Sequence, residues 1–182
     1  MNPSGDHAVR GVTAGSLLVG ALFGFAGGFL PKGVAQDSSW LVSSMGLVVG
    51  CLLLAHIHRS RPLAWAGFLL LAGAEMLIHA GGSRMVDAGA SASFAAGLAF
   101  YVPALLVIAS SRAMPMWLEI VTAVAAIPFA VHVVQRLLGQ AVGSDNPAAS
   151  IGYALLTIAT LGWAWMTLRP AARIQTDRPV PA

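Results

Sequence analysis

Six apolar runs, each long enough to cross a lipid bilayer, divide this chain almost from end to end. They cover residues 11–30, 39–57, 62–80, 90–110, 116–138 and 148–168. About 20 mostly apolar residues in helical form span roughly 30 Å of hydrocarbon. The third run carries Glu75 as its only charge, the fifth carries Glu119 and Arg136 near its ends, and the others carry none. The runs do not alternate polar and apolar residues in segments of about ten, as strands of a membrane barrel would. They predict an all-α polytopic bundle of six transmembrane helices.

Composition points the same way. Only 9% of the residues are charged and 57% are hydrophobic, whereas soluble domains carry about 25% charged residues. A water-facing fold of this size would lack charges to cover its surface; a lipid-facing one needs few. The expected organisation is a short N-terminus (1–10), a six-helix membrane domain (11–168) and a flexible basic tail (169–182).

The breaks between runs carry turn chemistry. Pro31-Lys32-Gly33 ends the first run and His58-Arg59-Ser60-Arg61 the second, with Pro62 suited to a first helical turn. Gly81-Gly82-Ser83 ends the third, and Met114-Pro115 precedes the fifth. Before the sixth, Gly143-Ser144-Asp145-Asn146-Pro147 offers Asp145 or Asn146 as a cap.

Lys and Arg set the expected orientation. With six spans, Arg10, Arg59, Arg61, Arg112, Arg169, Arg173 and Arg178 share one side, against Lys32, Arg84 and Arg136 on the other. That bias places both termini in the cytoplasm of a bacterial-type inner membrane. Trp65, Trp117, Trp163 and Trp165 then belong to an inner aromatic belt and Trp40 to an outer one. A competing reading treats the first run as a secretory signal cleaved after Ala35, which would leave five spans; its length and Asp6 argue against this. The single Cys51 excludes an internal disulfide. The Arg residues form no stripe, so nucleic acid is not an expected partner. The expected surroundings are lipid, with a membrane-protein partner or a second copy of the chain.

Two groups of residues stand out. Ser16, Gly20, Gly24 and Gly28 recur every four residues on the first helix, and the second helix adds Gly46 and Gly50. Small residues so spaced let helix backbones approach closely, inside the chain or between chains. The second group is ionisable. Glu75 and His79 lie four apart on one helical face. At 1.5 Å per residue they sit about 20 and 26 Å above the cytoplasmic start of their helix, and His132 about 24 Å up the fifth. A carboxyl at that depth is a functional candidate by default. Tyr101 near Pro103, together with Tyr153 and Thr157, would line an outer pocket opened by kinks at Pro103 and Pro128.

Three chemistries fit. Glu75 can handle protons or a substrate, with His79 or His132 as partner. Glu75, His79 and His132 make a ligand set for a divalent metal. His79 and His132 can also ligate a b-type haem. At the cytoplasmic end, Glu119 is placed to pair with Arg59 or Arg61, or to join His56 and His58 around a metal. No paired cysteines, His boxes or Asp-rich motif mark a known membrane enzyme class. The functional expectations run from a non-enzymatic accessory subunit associating through its glycine faces, to a small proton-coupled transporter using Glu75, to a haem or metal protein.

Overall fold

The computed structural model describes residues 3–80, 88–140 and 146–169. The expected turn at Gly81-Gly82-Ser83, Arg84, the Asp145 cap, and the tail from Pro170 with Arg173 and Arg178 lie outside the described residues. Six helices follow in order: α1 Pro3–Gly27, α2 Val34–Ile57, α3 Pro62–Ala80, α4 Ala88–Ser110, α5 Met116–Leu137 and α6 Pro147–Leu168. All six are long and apolar enough to cross a membrane. Asn146 caps α6 by accepting a hydrogen bond from the Ala148 N–H at 2.8 Å, and Pro147 fills the first turn, where its missing N–H costs nothing. Two helices start earlier than hydropathy indicates. α1 begins at Pro3 and α2 at Val34, because helical hydrogen bonding continues into polar sequence such as Asp6 and Asp37 beyond the apolar run.

The helices form a closed ring. α1 packs on α2, α2 on α3, and so on to α6, which returns to α1. Neighbours run antiparallel. Along α1 and α2, Gly20 faces Leu47, Gly24 faces Ser43 and Gly27 faces Trp40. Along α3 and α4, Gly67 faces Ile108 and Gly97 faces Ile78. Along α5 and α6, Leu118 faces Gly162 and Phe129 faces Gly152. One end of the ring therefore carries the start of α1 and the end of α6 (the terminal face); the other is the far face.

The glycine stripe is used inside the chain. A Cβ on Gly46 would come within 2.7 Å of the Gly20 nitrogen and the Ser16 carbonyl oxygen. The close approach lets Ser43 Oγ donate to the Gly20 carbonyl and Ser39 Oγ to the Phe23 carbonyl, each at 2.7 Å. Gly50 receives Leu17 in the same seam. Gly28 takes no part in it and lies exposed.

Large side chains fill the ring axis toward the terminal face. Phe68 of α3 and Trp163 of α6 meet edge-on with ring centroids 5.3 Å apart, and His58 stacks on Phe68 at 6.0 Å. Trp163 is 1% exposed, which corrects its expected place in the interfacial belt. Its spacing along α6 carries it inward, whereas Trp165, two residues on, points outward. There Trp165 packs on Trp117 and receives the Arg169 guanidinium 3.5 Å from its ring centroid. The expected Glu119 pairing with Arg59 or Arg61 is not formed. Glu119 instead accepts from the Met114 N–H at 3.5 Å, and Arg61 donates to the Arg112 carbonyl at 3.2 Å, because the tight α4–α5 turn presents backbone groups first.

Candidate functional site

Glu75 is the buried acid of the ring. The α3 periodicity that buries Phe68, Leu71, Ala72 and Ala74 turns its carboxyl inward as well, leaving it 3% exposed. Two hydroxyls from the flanking helices hold it. Ser44 of α2 donates to one carboxyl oxygen and Tyr101 of α4 to the other. Both oxygens act as acceptors, and each keeps capacity for a further donor. Tyr101 is itself fixed by Phe129, edge-on at 4.9 Å, and by Tyr153 at 6.2 Å.

Glu75 also lines a cavity of about 800 Å³. Among the described residues its walls come from α1 and the turn after it, α2, α3 and α6, with Phe94 added from α4. On α6 the lining runs from Ser150 to Thr160, about 15 Å along the axis at 1.5 Å per residue. The cavity therefore reaches about half-way through a membrane. Phe29, Val34, Ser38 and Ser150 line it at its upper rim and are exposed, so it opens toward the far face. It ends above the Phe68–Trp163 contact.

This geometry revises the pocket expected from the prolines. A pocket does lie toward the far face, with Tyr153 and Thr157 in its lining, but α5 contributes nothing to it. Pro103 faces outward on α4, and α4 and α5 stay closely packed through Tyr101 and Phe129. Space opens instead where α1 presents Gly24 and the turn after it Gly28, α2 presents Ser43 and Ser44, and α6 presents Ala154 and Thr157. Small side chains on facing helices leave the volume.

The ionisable residues separate. Glu75 and His79 both line the cavity, one turn apart. His132 does not. It is fully buried against Phe94, ring centroids 6.1 Å apart, and neither ring nitrogen has a hydrogen-bond partner. Phe94 thus touches His132 on one side and the cavity on the other. The expected three-ligand metal site of Glu75, His79 and His132 is not formed: among the described residues no group of three His, Cys, Asp or Glu is placed to hold a metal ion. The same holds for His56, His58 and Glu119. The structure places His79 in the cavity and His132 behind Phe94, so the pair expected to hold a haem does not share one cavity.

No family model, curated protein or solved structure matches this chain. The site must be read from its own chemistry. Three polar lining groups have no protein hydrogen-bond partner among the described residues: the His79 imidazole, the Tyr153 hydroxyl and the Asp37 carboxylate. Ser44, Asp37 and Phe94 were not singled out by the sequence, and Trp40 only as an interfacial tryptophan. Depth along the helix gave no signal for them, since the rotation of each helix about its own axis decides which residues face inward.

Proposed function

We propose that this protein is a small membrane carrier that takes up a small amphipathic molecule through its far-face cavity, with proton exchange at Glu75. The observation that carries this reading is a buried carboxyl at the wall of a cavity whose exposed rim lies at the far face. A carboxylate in a bilayer without a counter-charge is expensive, so its oxygens hold either a proton or a donor group from a ligand. A cavity lined mostly by apolar and aromatic groups with a few convergent polar ones is the usual form of a small-molecule site. His79 and Tyr153 supply further contacts for the ligand's polar end. The Phe68–Trp163 contact serves as the barrier toward the terminal face in the conformation described.

The membrane is, in this reading, a cytoplasmic (inner) one, and both termini face the cytoplasm. The Lys and Arg bias between the two sides supports that orientation. An accessory-subunit role rested on glycine faces free for a partner, and the α1–α2 seam occupies most of them. A haem or metal role would need ligands that the described residues do not bring together.

The test is proton movement in proteoliposomes loaded with a pH-sensitive dye, challenged with a panel of small amphipathic solutes. Wild-type protein should move protons in response to a subset, and Glu75→Gln should abolish the response while inserting normally. A response surviving in Glu75→Gln, or none in the wild type, would reject the carrier reading.

A further inference from the structure

Among the described residues, the carboxylates that line the cavity are its charged groups. Glu75 lines its wall and Asp37 its far-face rim. Among the described residues no lysine or arginine lines it. Trp40, Phe25, Phe29 and Phe94 add aromatic surface, whose ring faces attract cations within about 6 Å. Both oxygens of Glu75 accept, from Ser44 and Tyr101, so the carboxyl is oriented as an acceptor toward a third group. An anion entering here would meet the Asp37 charge at the rim and, among the described residues lining the cavity, no lysine or arginine to pair with, and like charges in a low-dielectric space repel strongly.

Deepening the carrier reading, on which it rests, we infer that the cavity selects lipophilic organic cations, such as protonated amines or quaternary onium ions carrying apolar groups. Asp37 attracts the cation at the far face, the aromatic residues accept its apolar body, and Glu75 pairs with its charge. The exchange balances: as the cation arrives, the protonated carboxyl gives its proton to water at the exposed rim, and the carboxylate–cation pair replaces the O–H bond. Charge sign decides selection, and the apolar body supplies affinity.

Two lipophilic ions of nearly the same shape and opposite charge, tetraphenylphosphonium and tetraphenylborate, separate the ideas. Binding to purified full-length protein in detergent is measured by equilibrium dialysis. The expected result is saturable tetraphenylphosphonium binding, at least tenfold tighter than tetraphenylborate, with proton release on binding. Glu75→Gln should weaken it at least tenfold. Asp37→Asn, at a side chain with no hydrogen-bond partner among the described residues, should fold normally and weaken it severalfold. Equal binding of both ions, with both lost in the cavity-filling variant Thr157→Trp, would overturn cation selection and leave the cavity reading standing. Tetraphenylphosphonium binding unchanged in both carboxylate variants would overturn the selection. Binding of neither ion would overturn the cavity reading along with it.

Discussion

Phe68 and Trp163 meet edge-on, ring centroids 5.3 Å apart, although their helices α3 and α6 are not neighbours in the ring. They reach each other across the axis and close it toward the terminal face. Truncating a buried aromatic loses both burial and packing, about 3–5 kcal/mol for Trp or Phe to Ala. Trp163→Ala should therefore lower the thermal unfolding midpoint in detergent sharply. Trp163→Phe should be milder, because the Trp163 indole N–H has no hydrogen-bond partner to lose. Equal midpoints for wild type and Trp163→Ala would remove the axis plug from the account.

The α1–α2 seam is set by backbone approach. A Cβ at Gly46 meets backbone atoms of Gly20 and Ser16 at 2.7 Å, and backbone cannot swing aside as a side chain can. Gly46→Ala should force the helices apart and destabilise by about 1–3 kcal/mol, the usual scale of overpacking. Gly15→Ala meets nothing within 4 Å and should be neutral or slightly stabilising, since Ala is the better helix former. Unfolding midpoints of the two variants, measured side by side, check the contrast.

His58 lies half-buried at the terminal face, stacked on Phe68. Burial pushes its pKa below the ordinary 6.5, and the positive charges of Arg61 and Arg10 push it the same way. The unfolded chain therefore binds a proton on this residue before the folded chain does. By linkage its contribution is intact above about pH 6.5 and is lost as pH falls below that value. Unfolding midpoints should decline from pH 7 to pH 5, and His58→Phe, which keeps the stacking, should reduce the slope. An identical slope in the variant would assign the decline elsewhere.

Much of the fold was legible because span length and turn chemistry act locally. The α3 limits at Pro62 and Ala80 match the apolar run, and the Asn146-Pro147 start of α6 follows from capping alone. Glu75 stood out because an acid at that depth is rare. The site's other members depended on rotation about each helix axis, which hydropathy does not fix. His132 has nearly the depth of His79 but faces Phe94, whereas Ser44, an ordinary serine by sequence, faces Glu75. The pocket was misplaced for a related reason: prolines suggest bends, but the volume arose where glycine, serine and alanine meet.

The two donors on Glu75 should be coupled to it. Tyr101→Phe removes one donor from a buried carboxyl, and leaving a buried polar group short of a partner costs about 1–3 kcal/mol. In the Glu75→Leu background the same tyrosine substitution should cost less, since no carboxyl remains to lose its donor. A double-mutant cycle on detergent unfolding measures the coupling. A coupling near zero would mean that the Tyr101 hydroxyl does not serve Glu75.

The central claim is that the Glu75 carboxyl faces a space that small apolar molecules can enter from the membrane or the far face. Reaction of the folded protein with the apolar reagent dicyclohexylcarbodiimide, mapped by mass spectrometry, tests it most directly. The account predicts an adduct on Glu75 that falls away when Thr157→Trp fills the cavity and is missing in Glu75→Gln. An unlabelled Glu75 in the wild-type protein, or labelling undiminished in Thr157→Trp, would contradict it.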